Sequence, residues 1–160
     1  MRRIAFVLLA MMAFWCAAPR DAEAACVLCS CSIDATDVAF GNFQPLDNTA
    51  LNGAGTVTVN CGPVGLLVSY DVKLTAGGSG AFATRRMTSG VNTLSYNLYT
   101  TAARNTVWGD GTAGTGYVSD AWLISLGHTS MAHTIYGRIP VATTTRPGSY
   151  TDTVIARIEW

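Results

Sequence analysis

Chemistry in this chain would have to come from few residues, and the cysteines come first. Five are present, and Cys26, Cys29 and Cys31 fall within the short stretch AACVLCSCSI. Cys-x-x-Cys can hold zinc, but a tetrahedral site usually pairs two such knuckles as thiolates. Cys61 stands alone, with no histidine beside it. A redox pair wants a helix behind it to lower the thiol pKa. The residues after Cys31, SIDATDVAFGNF, have no helical period. The two histidines, His128 and His133, could serve a Ser-His-Asp site with Asp120 or Asp152. No Gly-x-Ser-x-Gly elbow accompanies them. Glu159 has no acidic neighbour to make the carboxylate pair of a glycosidase. GDGTAG (109–114) matches G-x-G-x-x-G, but no helix is expected after it, so it reads as a glycine-rich loop. Asp110 lacks the Asp-x-Asp array of a calcium loop. These residues predict no catalytic centre, no cofactor and no metal site: the chain does not read as an enzyme.

The compartment decides what the thiols do. Arg2 and Arg3 precede an apolar run, Ile4 to Ala18, and then PRDAEA ends small-x-small. That is the pattern of a secretory signal peptide. The run is shorter than the roughly 20 residues of a spanning helix. The expected cut lies between Ala24 and Ala25, giving a signal peptide at 1–24 and one domain at 25–160. Cys16 leaves with the leader. No later segment is long and apolar enough to span a membrane. The full chain carries 10 basic and 10 acidic residues, and Lys73 is its sole lysine. No basic patch points to nucleic acid or anionic lipid.

In an oxidising compartment the four remaining cysteines read as disulfides, with three possible pairings. Cys29 and Cys31 point to one side of a strand, which suits partners on another strand better than each other. Cys31–Cys61 is the favoured long bridge, leaving Cys26–Cys29 as a tight local one. Closing a loop of about 30 residues stabilises by roughly 3–4 kcal/mol in the chain-entropy view.

The elements that position these residues read as strands. TVTVNC alternates Val57, Val59 and Cys61 against polar residues, and VSYDVKL alternates Val68, Tyr70, Val72 and Leu74. LSYNLY, HTIYGRI and YTDTVIARIEW behave likewise. NGAG, GPVG, AGGSG and RPGS are read as the turns between them. Short strands at this spacing predict an all-β sandwich or barrel. Arg85-Arg86 reads as a solvated pair. Trp108, Trp122 and Trp160 could line a sugar-binding face, though core positions are the simpler reading. Along the last strand Val154, Ala156, Ile158 and Trp160 face one way, beside an edge with nothing after it to cover it.

CSIDATDVAFGNFQPL (31–46), GTVTVNC (55–61), LSYNLYTTAARNTVWGDGT (94–112), YGRIP (136–140) and PGSYTDTVIARIEW (147–160) together resemble the spore coat protein U domain family. That family includes subunits of Csu-type, archaic chaperone–usher pili. The resemblance implies an incomplete immunoglobulin-like sandwich whose missing strand comes from another chain. It also implies a cysteine bridge that maps onto Cys31 and Cys61. The implied partners are a periplasmic chaperone, an outer-membrane usher and sibling subunits. The implied location is the cell surface, reached through the periplasm, in a fibre that supports adhesion and biofilm formation. Val154, Ala156, Ile158 and Trp160 become candidates for the acceptor groove. The alternatives are a coat protein built without an usher, or a secreted carbohydrate-binding module. One departure stands out: polymerising members keep a donor strand before the first matched cysteine. Here only Ala25 to Ser30 lie between the expected cut and Cys31, so this subunit is expected to accept a strand but to donate one poorly.

Overall fold

The computed structural model describes residues 27–160 other than Thr143. The leader, the Ala24–Ala25 cut and Cys26 lie outside the described residues, and the Cys26–Cys29 pairing falls with them.

Among the described residues eight strands form, most of them from alternating β-branched and aromatic residues: β1 (Val27–Ala35), β2 (Leu51–Leu74), β3 (Arg86–Ser89), β4 (Asn92–Ser95), β5 (Asn97–Tyr99), β6 (Val118–Leu126), β7 (Thr129–Ile139) and β8 (Ala156–Glu159). Every ladder between them is antiparallel. No α-helix occurs among the described residues.

β2 is the spine. Its register with β7 runs from Leu51↔Ile139 to Cys61↔Thr129, and resumes with β6 from Val64↔Leu126 to Val72↔Val118. β6 and β7 therefore succeed one another along one edge of β2. On the other edge β1 covers Val57 to Leu66, and β8 covers Asp71 to Leu74. The sequence reading expects NGAG and GPVG to be turns, but both lie inside β2. In place of a turn at GPVG there is a ribbon that turns over. Val57, Val59 and Cys61 face inward before it, and Val68, Tyr70, Val72 and Leu74 after it. The opposite strand switches in the same place: Ile135 and Ile139 are buried in β7, while Trp122 and Val118 pack inward from β6. Leu67 (φ 52°) and Gly127 (φ 120°) mark the crossing. The latter value is one that side chains rarely adopt, so glycine suits it.

One layer thus holds β1, the first half of β2, β7 and β5; the other holds the second half of β2, β6 and β8. The β3–β4 hairpin joins through a two-way bond between Thr88 and Thr151 (2.8 and 3.1 Å). Leu94, Tyr96 and Leu98 are buried as their alternation predicts, though β4 ends and β5 begins on either side of Tyr96. The result is an all-β, immunoglobulin-like sandwich. At its centre Trp108 is fully buried and its Nε1 donates to the Val72 carbonyl (2.8 Å).

Arg85 overturns the reading of a solvated pair: it is fully buried. Its guanidinium donates to the carbonyls of Thr75 (2.7 Å) and Trp108 (2.8 Å) and to Asn97 Oδ1 (3.0 Å). Burial pushes its pKa down, opposed by Tyr96 and Asp152 nearby. A fork with five donors can bridge three chain segments where the point charge of a lysine would not.

Candidate functional site

β1 does not end at a turn; residues 36–40 continue along the first half of β2. The Thr36 amide donates to the Thr56 carbonyl, the Thr56 amide donates back to Thr36 Oγ1 (both 2.9 Å), and Ala39 bridges Ala54. This close approach needs glycine beneath it. A Cβ on Gly53 would stand 2.7 Å from the Ala39 carbonyl oxygen. One on Gly55 would stand 2.9 Å from Val38, and one on Gly137 2.7 Å from both Val38 and Phe40. Glycine inside a strand marks such an approach. The bed of glycines sets Val38 and Phe40 over the core, where Phe40 meets the Tyr96 ring edge-on at 6.0 Å.

The segment leading into β8 forms the opposite wall. Thr151 is held by Thr88, and the Ile155 amide donates to Thr75 Oγ1 (2.9 Å). Asp152 is gripped hardest. Its Oδ1 accepts the Gly78 and Thr153 amides (2.9 and 2.8 Å), and its Oδ2 accepts the Tyr96 hydroxyl (2.7 Å). Burial first, and then this carboxylate, hold the Tyr96 phenol well above its usual pKa.

Between the walls lies a cleft. A cavity of about 400 Å³ is bounded by residues 35–38 and 150–156, and its floor is Val57, Leu74, Leu98 and Ile135. A second, of about 690 Å³, continues between residues 41–45 and 145–149. Val38, Phe40, Met87 and Tyr150 line both, which makes them one groove. Among the described residues β1 and β8 each pair only with β2. β1 reaches the groove at Ala35 and β8 at Ala156, so each strand meets it at one end, with its second edge carrying no strand partner among the described residues.

Val154 and Ala156 line this groove. Ile158 does not: it pairs with Val72 and packs on the core. Trp160, past the last paired residue, stands half exposed (50%). The expected set of four is thus divided, because β8 leaves the groove as it runs along the second half of β2. Val38, Phe40 and the glycine bed are site residues that the sequence reading misses. A signal for them exists in three glycines within alternating strands, two of which read locally as a turn.

Cys31 and Cys61 face one another across β1 and β2 and are disulfide-bonded, with Cα atoms 4.1 Å apart. His133 Nε2 shares a hydrogen bond with the Tyr70 hydroxyl (3.0 Å). Burial lowers the His133 pKa and raises that of Tyr70 to about 12, and Asp120 acts on both. Asp152, the other carboxylate considered as a partner for histidine, is with Tyr96 instead. His128 lies against Gly62. Neither histidine lines the groove. The tryptophans share no face: Trp108 is in the core, Trp122 stacks edge-on against Tyr70 at 5.7 Å, and Trp160 is at the end of the chain. Asp110 Oδ1 is occupied by the Thr112 amide and hydroxyl (2.9 and 2.6 Å). No cluster of three metal-ligating side chains occurs among the described residues.

Three comparisons place the chain. Over 129 residues it is 33% identical to Protein U of Myxococcus xanthus, covering 74% of this chain and 69% of that protein. Its fold matches a solved structure of the CsuC-CsuE chaperone-tip adhesion subunit pre-assembly complex from archaic chaperone-usher Csu pili of Acinetobacter baumannii. The TM-score is 0.55 and the identity 24%, over 84% of this chain but only 40% of the matched one. Residues 19–157 match the Spore Coat Protein U domain, and with that span of its length matched the chain belongs to the spore coat protein U domain family.

Proposed function

We propose that this chain is a structural subunit of a chaperone–usher-type surface fibre, secreted through the periplasm, and that its groove accepts a strand supplied by another chain. One observation carries the reading. A groove with Val38, Phe40, Met87 and Tyr150 in its walls runs between the segment that continues β1 and the segment that leads into β8, and among the described residues β1 and β8 each pair only with β2. A strand laid there gains main-chain bonds from those segments and apolar contacts from alternate side chains. Each well-buried Val, Leu, Ile or Phe contributes about 1.5–3 kcal/mol, and each net hydrogen bond about 0.5–1.5 kcal/mol. A periplasmic chaperone fills the groove first in this reading, an outer-membrane usher receives the complex, and a sibling subunit replaces the chaperone. The fibre then supports adhesion and biofilm formation. Its work is assembly, without catalysis.

The test is periplasmic co-expression with a chaperone of this class, followed by co-purification. The native chain and the variant Leu123→Arg, an exposed site on β6 away from the groove, are expected to hold the chaperone. Val154→Arg and Phe40→Arg are expected to lose it. Equal retention by all four proteins contradicts the reading.

A second reading rests on the family's description and on the similarity to Protein U. In it the same domain packs into a coat without an usher. Export to the cell surface that persists when the usher is deleted favours the coat.

A further inference from the structure

The groove is not electrically uniform. At the end bounded by residues 35–38 and 150–156 its lining carries two carboxylates, Asp37 and Asp152, and no Lys, Arg or His. At the end bounded by 41–45 and 145–149 its lining includes Arg146 and no Asp or Glu. Between them the walls are apolar: Val38, Phe40, Met87 and Tyr150.

These charges are available. Asp152 is held by three donors, the Gly78 and Thr153 amides and the Tyr96 hydroxyl, and it lines the groove. Arg85 lies near it, but that guanidinium is turned to Thr75, Trp108 and Asn97 and does not line the groove. Asp37 and Arg146 are exposed. Lys73–Glu159 is the one ion pair among the described residues, and it involves neither of them. The two ends are set by the walls themselves, because residues 35 to 45 run against residues 156 to 145.

Taking the groove as a strand acceptor, we propose that its charge asymmetry fixes the register and orientation of the strand it takes. The partner is an extended segment of about ten residues, the length that walls of this span can hold at about 3.3 Å per residue. It presents alternate apolar side chains inward, a basic side chain at the Asp37–Asp152 end and an acidic one at the Arg146 end. Rim charges select among partners and set register more than they add affinity. A strand entering the wrong way places a carboxylate beside Asp37 and Asp152 and a cation beside Arg146. The main-chain bonds of a captured strand favour one direction of entry, and in that direction the charges penalise end charges placed the wrong way round.

The experiment refolds the chain in the presence of fluorescent ten-residue peptides of one composition. Their interior residues alternate apolar and polar. One peptide carries Lys at its N-terminal end and Glu at its C-terminal end, and the other carries the two exchanged. Binding is read by anisotropy at low and high salt. One peptide is expected to bind roughly three- to tenfold more tightly at low salt, from two partly exposed pairs, and the gap should close at high salt. The double variant Asp37→Lys with Arg146→Glu changes exposed positions and should invert the preference. Equal binding of both peptides at low salt, or an unchanged preference in the double variant, overturns the proposal and leaves the acceptor reading standing. If neither peptide binds, the acceptor reading falls and the proposal with it.

Discussion

Single residues in this domain have jobs that their types alone do not announce. Cys31 and Cys61 close a loop with a sequence separation of 30. Cys31→Ser or Cys61→Ser should therefore lower stability by about 2–5 kcal/mol, read as a fall in the denaturant midpoint and in periplasmic yield. Arg85 is the less obvious case. Arg85→Met fills space but leaves the buried carbonyl of Trp108 and the part-buried carbonyl of Thr75 without their donor. Each such loss costs about 1–3 kcal/mol, so equilibrium unfolding should show a drop of several kcal/mol. No drop would mean that the fork is dispensable. His133 gives the domain a pH dependence. Its folded pKa lies below the usual value near 6.5 because burial disfavours the cation, with Asp120 opposing. The stability it contributes is full above the unfolded pKa and is lost as pH falls below it towards the folded value. Melting temperature should therefore fall between pH 7 and pH 5, and it should fall less in His133→Gln. Identical slopes for the two proteins would remove His133 from the account.

At the scale of elements, the glycines under residues 36–40 matter most. Gly53→Val or Gly137→Val puts a branched side chain where Ala39, Val38 and Phe40 now touch backbone. Either change should push the wall off β2, with two measurable effects: lower thermal stability and weaker capture of a strand. Gly90→Ala has open space around it, although its φ of 58° is strained. It should leave strand capture intact, which separates damage to the groove from a general loss of stability. Much of this scale is legible in sequence. The period-two runs locate the inward faces of β2, β7 and β8, and Val57, Val59, Tyr70, Val72 and Leu74 are all fully or nearly fully buried. The misreadings share one cause. Gly and Pro ordinarily punctuate turns, yet Gly53, Gly55 and the GPVG stretch sit within one long strand. They are glycine because another segment crosses close by or because the ribbon turns over there. Local composition does not carry that tertiary reason. Arg85 is misplaced by sequence for the same reason: its acceptors at Thr75, Asn97 and Trp108 come from three separate segments.

Over the described residues the molecule is an all-β sandwich with a groove along one side. Its strands bury a continuous core that includes Val57, Tyr70, Trp108 and Ile139, while Val38, Phe40, Met87 and Tyr150 line the groove between residues 35–45 and 145–156 above it. A strand edge that carries no partner invites pairing with other chains, so the domain alone should be prone to oligomerise or should melt at low temperature. A captured strand should raise its melting temperature in proportion to occupancy. The alternation of Val154, Ala156 and Ile158 is visible in the sequence; the wall of residues 35–45 that faces Val154 and Ala156 across the groove is visible only in the structure. The measurement that tests this most directly is amide hydrogen exchange on the chain with and without a saturating apolar strand peptide. The account predicts new protection in residues 35–40 and 150–156, the two walls of the groove. Protection confined to another edge, such as β6, or no change along the groove, would contradict it.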